Sequence, residues 1–291
     1  MRSRDSSGFW RNDENVADWT NKVIVISGGS AGLGLQIGRA FGRRGATTIL
    51  WARDRDRLEA ARQQLSDEGI SVEVDVVDAS DDASVEAGVQ SLLAKHGQLD
   101  GLINVVGRST RQSSLETTLD DYREFLDTNF ETAVRCSLAA LPHLLATNGH
   151  LVNIGSLAAK TAWSFMGPYT ASKYALAGFT QQLRLEAYDR LHVMLVCPGP
   201  IQREDSGQRY NDDASQLPEE ARKPGGGAPV KGLDPEWLAN CIVKGCEKRQ
   251  AEIVAPGWLK LLFLTSQWSA ALGDWVLRKA GPKRKDDSSQ K

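Results

Sequence analysis

The stretch KVIVISGGSAGLG, Lys22–Gly34, decides the fold. Its first half, KVIVIS, is an unbroken run of mostly β-branched apolar residues, the composition of a strand covered on both faces. Its second half, SGGSAGLG (27–34), is a glycine-rich turn that leads into a helix-like segment through Arg44. Glycines at such a junction permit a tight turn, close backbone approach to a pyrophosphate and close packing of helix on strand. The helix start then offers unpaired N–H groups to the anion. Glycine-rich turns are common, and it is the strand–turn–helix setting that makes this one read as a phosphate cradle for a dinucleotide.

Working outward, the same alternation repeats. Further apolar runs are TTILWA (47–52), SVEVDVV (71–77), LDGLINVV (99–106), HLVNIGS (150–156), HVMLVCPG (192–199) and AEIVAP (251–256). Helix-length segments separate them near 55–68, where Asp54 can cap, and near 81–96, 120–146, 170–190 and 234–248. Strand–helix alternation of this kind predicts an α/β fold: a Rossmann-type, doubly wound, mainly parallel sheet of seven strands with helices on both faces. One domain over 21–256 is expected, with a polar extension at 1–20 in which Phe9, Trp10 and Trp19 are available for docking. Residues 198–232 hold five prolines and the run Gly225-Gly226-Gly227. Such a long connection leaving the C-terminal end of a strand is read as a lid over a ligand site.

Composition bounds the function. A net charge of -2 gives no support to a nucleic-acid partner. The N-terminus lacks the apolar core of a secretory signal, and no run approaches the length of a membrane-spanning helix. Cys136, Cys197, Cys241 and Cys246 form no C-x-x-C pair and have no matching histidine spacing. Free buried thiols, no metal and a cytoplasmic setting are therefore expected.

The chemistry is carried by YTASK, Tyr169–Lys173. Residues four apart share one face of a helix, and this helix follows a strand whose C-terminal end carries Ser156. Asn129 lies in the preceding long helix. Together these features resemble the short-chain dehydrogenase/reductase family over roughly residues 20–256. Ser27, Gly28, Gly32 and Gly34 match its cofactor motif, Asp75 and Val76 its adenine-contacting position after the third strand, Asn104 and Gly107 the ends of its N-N-A-G motif. Pro198-Gly199 matches the P-G turn after the sixth strand. Asn129, Ser156, Tyr169 and Lys173 match the catalytic tetrad, with Ser156 thirteen residues before Tyr169. The resemblance implies an oxidoreductase that interconverts a carbonyl and an alcohol by hydride transfer. Tyr169 would be the acid/base, lowered from a free pKa near 10 by the Lys173 ammonium. Ser156 would hold the substrate oxygen, and Asn129 would support a water beside Lys173.

The expected cofactor contacts are Gly28, Ser30, Gly32, Leu33, Gly34, Arg53, Asp75, Val76, Asn104, Gly107, Tyr169, Lys173, Pro198, Gly199 and Ile201. NADP(H) is expected over NAD(H), because Ala52 leaves no carboxylate at the ribose position and Arg53 suits a 2′-phosphate. Asp54 either caps a helix or turns toward the ribose. Two departures from the family pattern stand out: Val105-Val106 replace two residues of N-N-A-G, and Arg203 stands where threonine is frequent. The substrate is expected to be an apolar small molecule lined by Ser156, Trp163 and Tyr169, since AWSFMGP (162–168) joins two catalytic residues. Trp163 and Phe165 packed under the lid, or at a subunit contact, are the structural alternative. A homo-oligomer, dimer or tetramer, is implied by the resemblance. In the tail, 257–291, Trp258, Leu261, Leu262, Trp268, Leu272 and Trp275 recur at helical spacing, and Lys279, Lys283, Arg284 and Lys285 follow. That is the pattern of an amphipathic helix docked on a membrane surface, a partner or its own domain. A cofactor-holding redox sensor and a membrane-peripheral module on the same fold are the alternative functions.

Overall fold

A computed structural model of the chain describes residues 19–202, 217, 219–222, 225 and 230–280. Phe9, Trp10, Arg203 and the basic residues Lys283, Arg284 and Lys285 lie outside them. Seven parallel strands run β1 (Val23–Ser27), β2 (Thr47–Ala52), β3 (Val72–Val76), β4 (Gly101–Asn104), β5 (His150–Ile154), β6 (His192–Pro198) and β7 (Glu252–Ala255), ordered β3-β2-β1-β4-β5-β6-β7. The order reverses between β1 and β4, where Ser27 is in register with Asn104 on one side and Trp51 on the other. Ligands of open α/β sheets bind at such a switch point, beyond the carboxyl ends of the strands.

Strand β1 shows why the sheet is covered twice. Ile24 and Ile26 point to one face and Val23 and Val25 to the other, and all four are buried. The first face is closed by α1 (Gly32–Gly42), α2 (Arg55–Asp67) and α8 (Pro235–Glu247) through Ile37, Phe41, Leu58, Leu65, Leu238 and Ile242. The second is closed by α3 (Asp82–His96) and α5 (Thr132–Ala146) through Val85, Val89, Leu92, Cys136 and Leu144. Burying side chains of this size stabilises by about 1.5–3 kcal/mol each, which makes the two apolar layers the main support of the fold.

Local signals set the helix starts. Asp54, Asp81 and Asp234 each accept a backbone N–H at the head of α2, α3 and α8, and Pro168 sits at the start of α6 (Gly167–Glu186). Helix α4 (Leu119–Leu126) opens with a capping box of Thr118 and Asp121. A π-turn, Asp127–Glu131, joins it to α5. A short helix, α7 (Glu219–Arg222), lies within the connection after β6.

Two expectations are revised. Asp75 and Val76 lie inside β3, paired with Trp51 and Ala52, so the position after the third strand belongs to Val77 and Asp78. The tail is two helices, α9 (Leu259–Trp268) and α10 (Ala270–Ala280), because the Ser269 hydroxyl accepts the Leu272 N–H at 3.3 Å and starts a new helix. Trp19, expected to be available for docking, is 5% exposed and stands edge-on to Phe41 with centroids 4.9 Å apart, packed in the core.

Candidate active site

The cradle is built by close approach. The N–H groups of Gly28 and Gly29 both donate to the Trp51 carbonyl, at 2.9 and 3.1 Å, folding the turn back over β2. Gly28 has φ 84° and Gly32 φ 53°, the left-handed region that favours glycine. A Cβ on Gly34 would lie 2.1 Å from the Gly28 carbonyl oxygen, so turn and helix touch backbone to backbone. A Cβ on Gly32 would meet nothing within 4 Å. Ala31 precedes α1 without a side-chain oxygen to cap it. An open space faced by the uncapped N–H groups of a helix start is what a pyrophosphate requires, and the residues present fit a bound dinucleotide.

Around this cradle the predicted contacts divide into two kinds. Ser30 and Arg53 are accessible, whereas Leu33 is 8% exposed and can offer only its backbone. Asn104 is 3% exposed and spends its amide on Asn153 at 2.8 Å and Ser137 at 3.0 Å, so its side chain ties β4 to β5 and α5. Asp54 takes the first of its two alternatives: its carboxylate caps α2 by accepting the Arg57 N–H at 3.0 Å. Asp78, which the sequence reading passed over, lies beyond β3. Its carboxyl is held below the usual range first by the Ser80 hydroxyl, then by the Ser80 N–H, with Arg53 among the weaker causes. Arg53 and Asp78 thus mark one corner of the cleft, at the ends of β2 and β3. Its signal was the D-x-S pattern that follows the strand rather than the D-V pattern within it.

Hydrogen bonds hold Asn129 and Lys173 of the expected tetrad in place. Asn129 sits in the π-turn, fully buried, and its Oδ1 accepts the Arg108 N–H at 2.7 Å. Its Nδ2 donates to the Arg108 carbonyl and to Ser172 Oγ, each at 3.0 Å. Ser172 Oγ in turn donates to the Tyr169 carbonyl at 2.8 Å. A π-turn widens the helix by one residue, and such insertions recur at functional sites. Lys173, one turn beyond Tyr169 on α6, is 5% exposed and donates from Nζ to the Ile154 carbonyl at 2.9 Å, two residues before Ser156. Its ammonium lies 6.0 Å from the Tyr169 ring centroid. Burial pulls its pKa down to about 8, with Cys197 opposing weakly. A Cβ on Gly107 would come 2.8 Å from Asn129 Oδ1 and 3.3 Å from Lys173 Nζ, which explains glycine at that position. Ser156, in extended backbone after β5, accepts the Ala158 N–H at 3.1 Å, and among the described residues its own proton stays available for donation.

One wall is strained. Phe165, between Ser156 and Tyr169, has φ 61°, a rare state for a bulky residue. Its carbonyl accepts the Gln112 N–H at 2.9 Å, and its ring packs on Leu217 and Ala221 of the connection after β6. Phe165 therefore fills its alternative role under that connection. Trp163 is half-buried. Beyond the sixth strand Gly199 donates to the Ala255 carbonyl at 2.7 Å, and Ile201 bridges to Leu233.

The four cysteines are free, three of them buried. Cys246 lies near His150 and His192, with side-chain ligand atoms within 4.8 Å of one another, a grouping that sequence spacing did not disclose. The histidines are already satisfied: His192 Nε2 meets the Gln250 carbonyl at 2.8 Å, so its Nδ1 accepts from His150 Nδ1–H at 2.9 Å. This knot stands at the N-terminal ends of β5 and β6, opposite the cleft.

Comparison with known proteins agrees with the geometry. The family model described as short chain dehydrogenase matches residues 22–214. The 11-beta-hydroxysteroid dehydrogenase 1A of Arabidopsis thaliana is 31% identical over 265 residues, covering 88% of this chain and 74% of that protein. The L-sorbose reductase of Gluconobacter frateurii, complexed with NADPH and L-sorbose, superposes with a TM-score of 0.71 at 26% identity, covering 82% of this chain and 96% of that one. A short chain dehydrogenase/reductase from Burkholderia phymatum, in complex with NAD, gives 0.75 at 21% identity, over 88% and 96%. The chain belongs to the short-chain dehydrogenase/reductase family and is an NAD(P)-using oxidoreductase of CH–OH groups.

Proposed function

We propose that the protein interconverts a ketone or aldehyde and a secondary or primary alcohol on an apolar small molecule, with NADP(H) as the preferred cofactor. The observation that carries this reading is the single hydrogen-bonded chain from Arg108 through Asn129 and Ser172 to Tyr169, with the buried Lys173 one turn further on. A purely structural helix has no reason to keep an ammonium in a dry site beside a phenol. When bound, the nicotinamide supplies or takes up the hydride. Tyr169 gives its phenolic proton to the carbonyl oxygen in reduction and takes a proton from the hydroxyl in oxidation. The Ser156 hydroxyl donates to the same oxygen as charge develops on it. Lys173 favours the phenolate by its charge and offers its remaining N–H bonds to the cofactor ribose.

Gly28, Gly32 and the N–H groups of Leu33 and Gly34 would hold the pyrophosphate. The preference for NADP(H) rests on Ala52 and the exposed Arg53, and on Asp54 being engaged as a helix cap. NADPH in the L-sorbose reductase is in keeping with it. Apolar substrate is supported by Trp163 and by the apolar run AWSFMGP (162–168) that joins Ser156 to Tyr169. The connection 198–232 acts as the lid.

Tyr169→Phe tests the mechanism. The ring and its packing stay, so the variant folds, binds NADPH as the parent does, and loses at least ~10³-fold in kcat on a carbonyl found by screening, within what loss of a general acid costs. Retained turnover in the folded variant would sink the proposal. Cofactor binding with no turnover of any carbonyl by the parent would favour the sensor reading instead.

A further inference from the structure

Helices α9 and α10 present two different faces. Leu259 and Phe263, four residues apart, are 5% exposed each and pack on Leu195, Cys197 and Val254 of the domain. The opposite face carries Trp258, Leu261, Leu264 and Trp268, at 59%, 72%, 59% and 94% exposure. On α10, Leu272 and Trp275 are exposed as well, at 47% and 55%. Among the described side chains of α9 the domain covers Leu259 and Phe263, and the exposed tryptophans and leucines of that helix point away from it. Taking about 250 Å² for a tryptophan side chain, the three indoles alone expose roughly 500 Å². That is at the top of the range for the largest apolar patch of a monomer, about 300–600 Å².

We infer that this face is a docking surface for an anionic phospholipid membrane, on which α9 and α10 lie in the plane of the headgroups. Charge points to that occupant. The described residues of the two helices carry Lys260, Arg278 and Lys279 against the single carboxylate of Asp274. Lys279 Nζ stands 4.1 Å over the Trp275 ring, an ammonium at the rim of an apolar face, as a side chain at a headgroup boundary is arranged. A second copy of the chain fits less well, because a two-fold contact sets each patch on itself and brings these cations against their own equivalents. Length excludes spanning: helices of 10 and 11 residues rise about 15 Å, half of a hydrocarbon core near 30 Å. Among the described residues no helix is long and apolar enough to cross a membrane. The inner face of α9 shares its apolar cluster with Leu157, next to Ser156, and with Val230 of the connection after β6, so α9 is seated at the cleft end of the sheet.

The test uses the full chain and sucrose flotation. Vesicles of phosphatidylcholine containing roughly one-third phosphatidylserine mimic an anionic leaflet, and pure phosphatidylcholine is the comparison. The parent is expected to float with the anionic vesicles, to stay below with the neutral ones, and to be released by high salt. Trp258→Ser/Trp268→Ser/Trp275→Ser should lose at least tenfold of the floated fraction while keeping the parent's circular dichroism and its turnover of a soluble carbonyl. Should the triple variant not fold, quenching of the parent's tryptophan fluorescence by brominated lipid gives the same answer. A parent that stays unbound and unquenched with anionic vesicles overturns the inference. So does a parent that elutes as a dimer which the triple variant dissociates without either of them floating: the face would then be a self-interface.

Discussion

Lys173 shows at the residue scale how function works against stability. Its pKa falls from 10.5 to about 8 because the side chain is buried, and that difference corresponds to about 3 kcal/mol spent on keeping the ammonium in a dry site. The folded amine releases its proton near pH 8 and the unfolded one near 10.5, so this group makes stability rise with pH between those values. Lys173→Met removes the charge and one hydrogen bond to the Ile154 carbonyl. The variant should be as stable as the parent at pH 7, or more stable by about 1–2 kcal/mol, while turnover vanishes and cofactor binding weakens. Urea unfolding and NADPH titration of the same preparation check both halves; a large loss of stability would make the lysine structural. Arg53→Ala, at an exposed site, should weaken NADPH about tenfold or more and leave NADH little changed, since a charge-assisted hydrogen bond contributes roughly 1.5–3 kcal/mol. Tighter NADH than NADPH binding by the parent would reverse the assignment.

At the scale of elements, the junction of β1 and α1 makes two glycines separable. Gly34 is needed by the fold, because a Cβ there would overlap the Gly28 carbonyl at 2.1 Å. Gly32 has open space in front of it and a left-handed φ of 53°. Gly34→Ala should therefore lose several kcal/mol of stability, or fail to fold, as turn and helix are forced apart. Gly32→Ala should fold with a cost of about 1–2 kcal/mol for the left-handed residue, yet lose most of its affinity for either dinucleotide, because the methyl enters the phosphate space. Thermal denaturation with and without NADPH distinguishes them, and a Gly32→Ala protein stabilised by NADPH as much as the parent would contradict this placement of the phosphates. The π-turn is the other element that matters: it carries Asn129 into contact with both Arg108, after β4, and Ser172, on α6.

Across the whole molecule, the His150–His192 pair makes stability fall in mild acid. His150 is lowered to about 3, chiefly by burial and then by His192, and His192 is lowered chiefly by burial. Unfolded histidines take up protons near pH 6.5, so below that value the unfolded chain holds more protons than the folded one. Stability is then lost as pH falls from about 6.5, at about 1.4 kcal/mol per pH unit for each proton. The window between pH 6 and 5 lies above the range in which Glu68, Glu73 and Asp78 titrate, all of them lowered. His150→Asn keeps an N–H near the Nδ1 position without a titrating ring and should flatten the slope in that window. Denaturant midpoints at pH 7, 6 and 5 measure it, and an unchanged slope would remove the pair from the account.

By itself the sequence determined the layers and the chemistry. Strand β1 is legible because Val23–Ser27 is covered on both faces and is almost wholly apolar, and the turn after it because Gly28 and Gly34 stand where a Cβ would press on backbone. Tyr169 and Lys173 are legible because a helical turn fixes their spacing locally. Other features depend on residues distant in the chain, and only the tertiary structure decided them. The strand end past Val76 is set by pairing with Ala52, which puts Asp75 and Val76 at the last positions of β3 and Asp78 just beyond them. The side chain of Asn104 is engaged by Asn153, 49 residues on, through a contact that only the pairing of β4 with β5 creates. His150 and His192 meet because β5 and β6 pair in register. The two faces of α9 look alike in sequence, since leucine and tryptophan suit a core or an interface equally. The sheet edge decided between them, by having room for Leu259 and Phe263 and none for the stripe behind them.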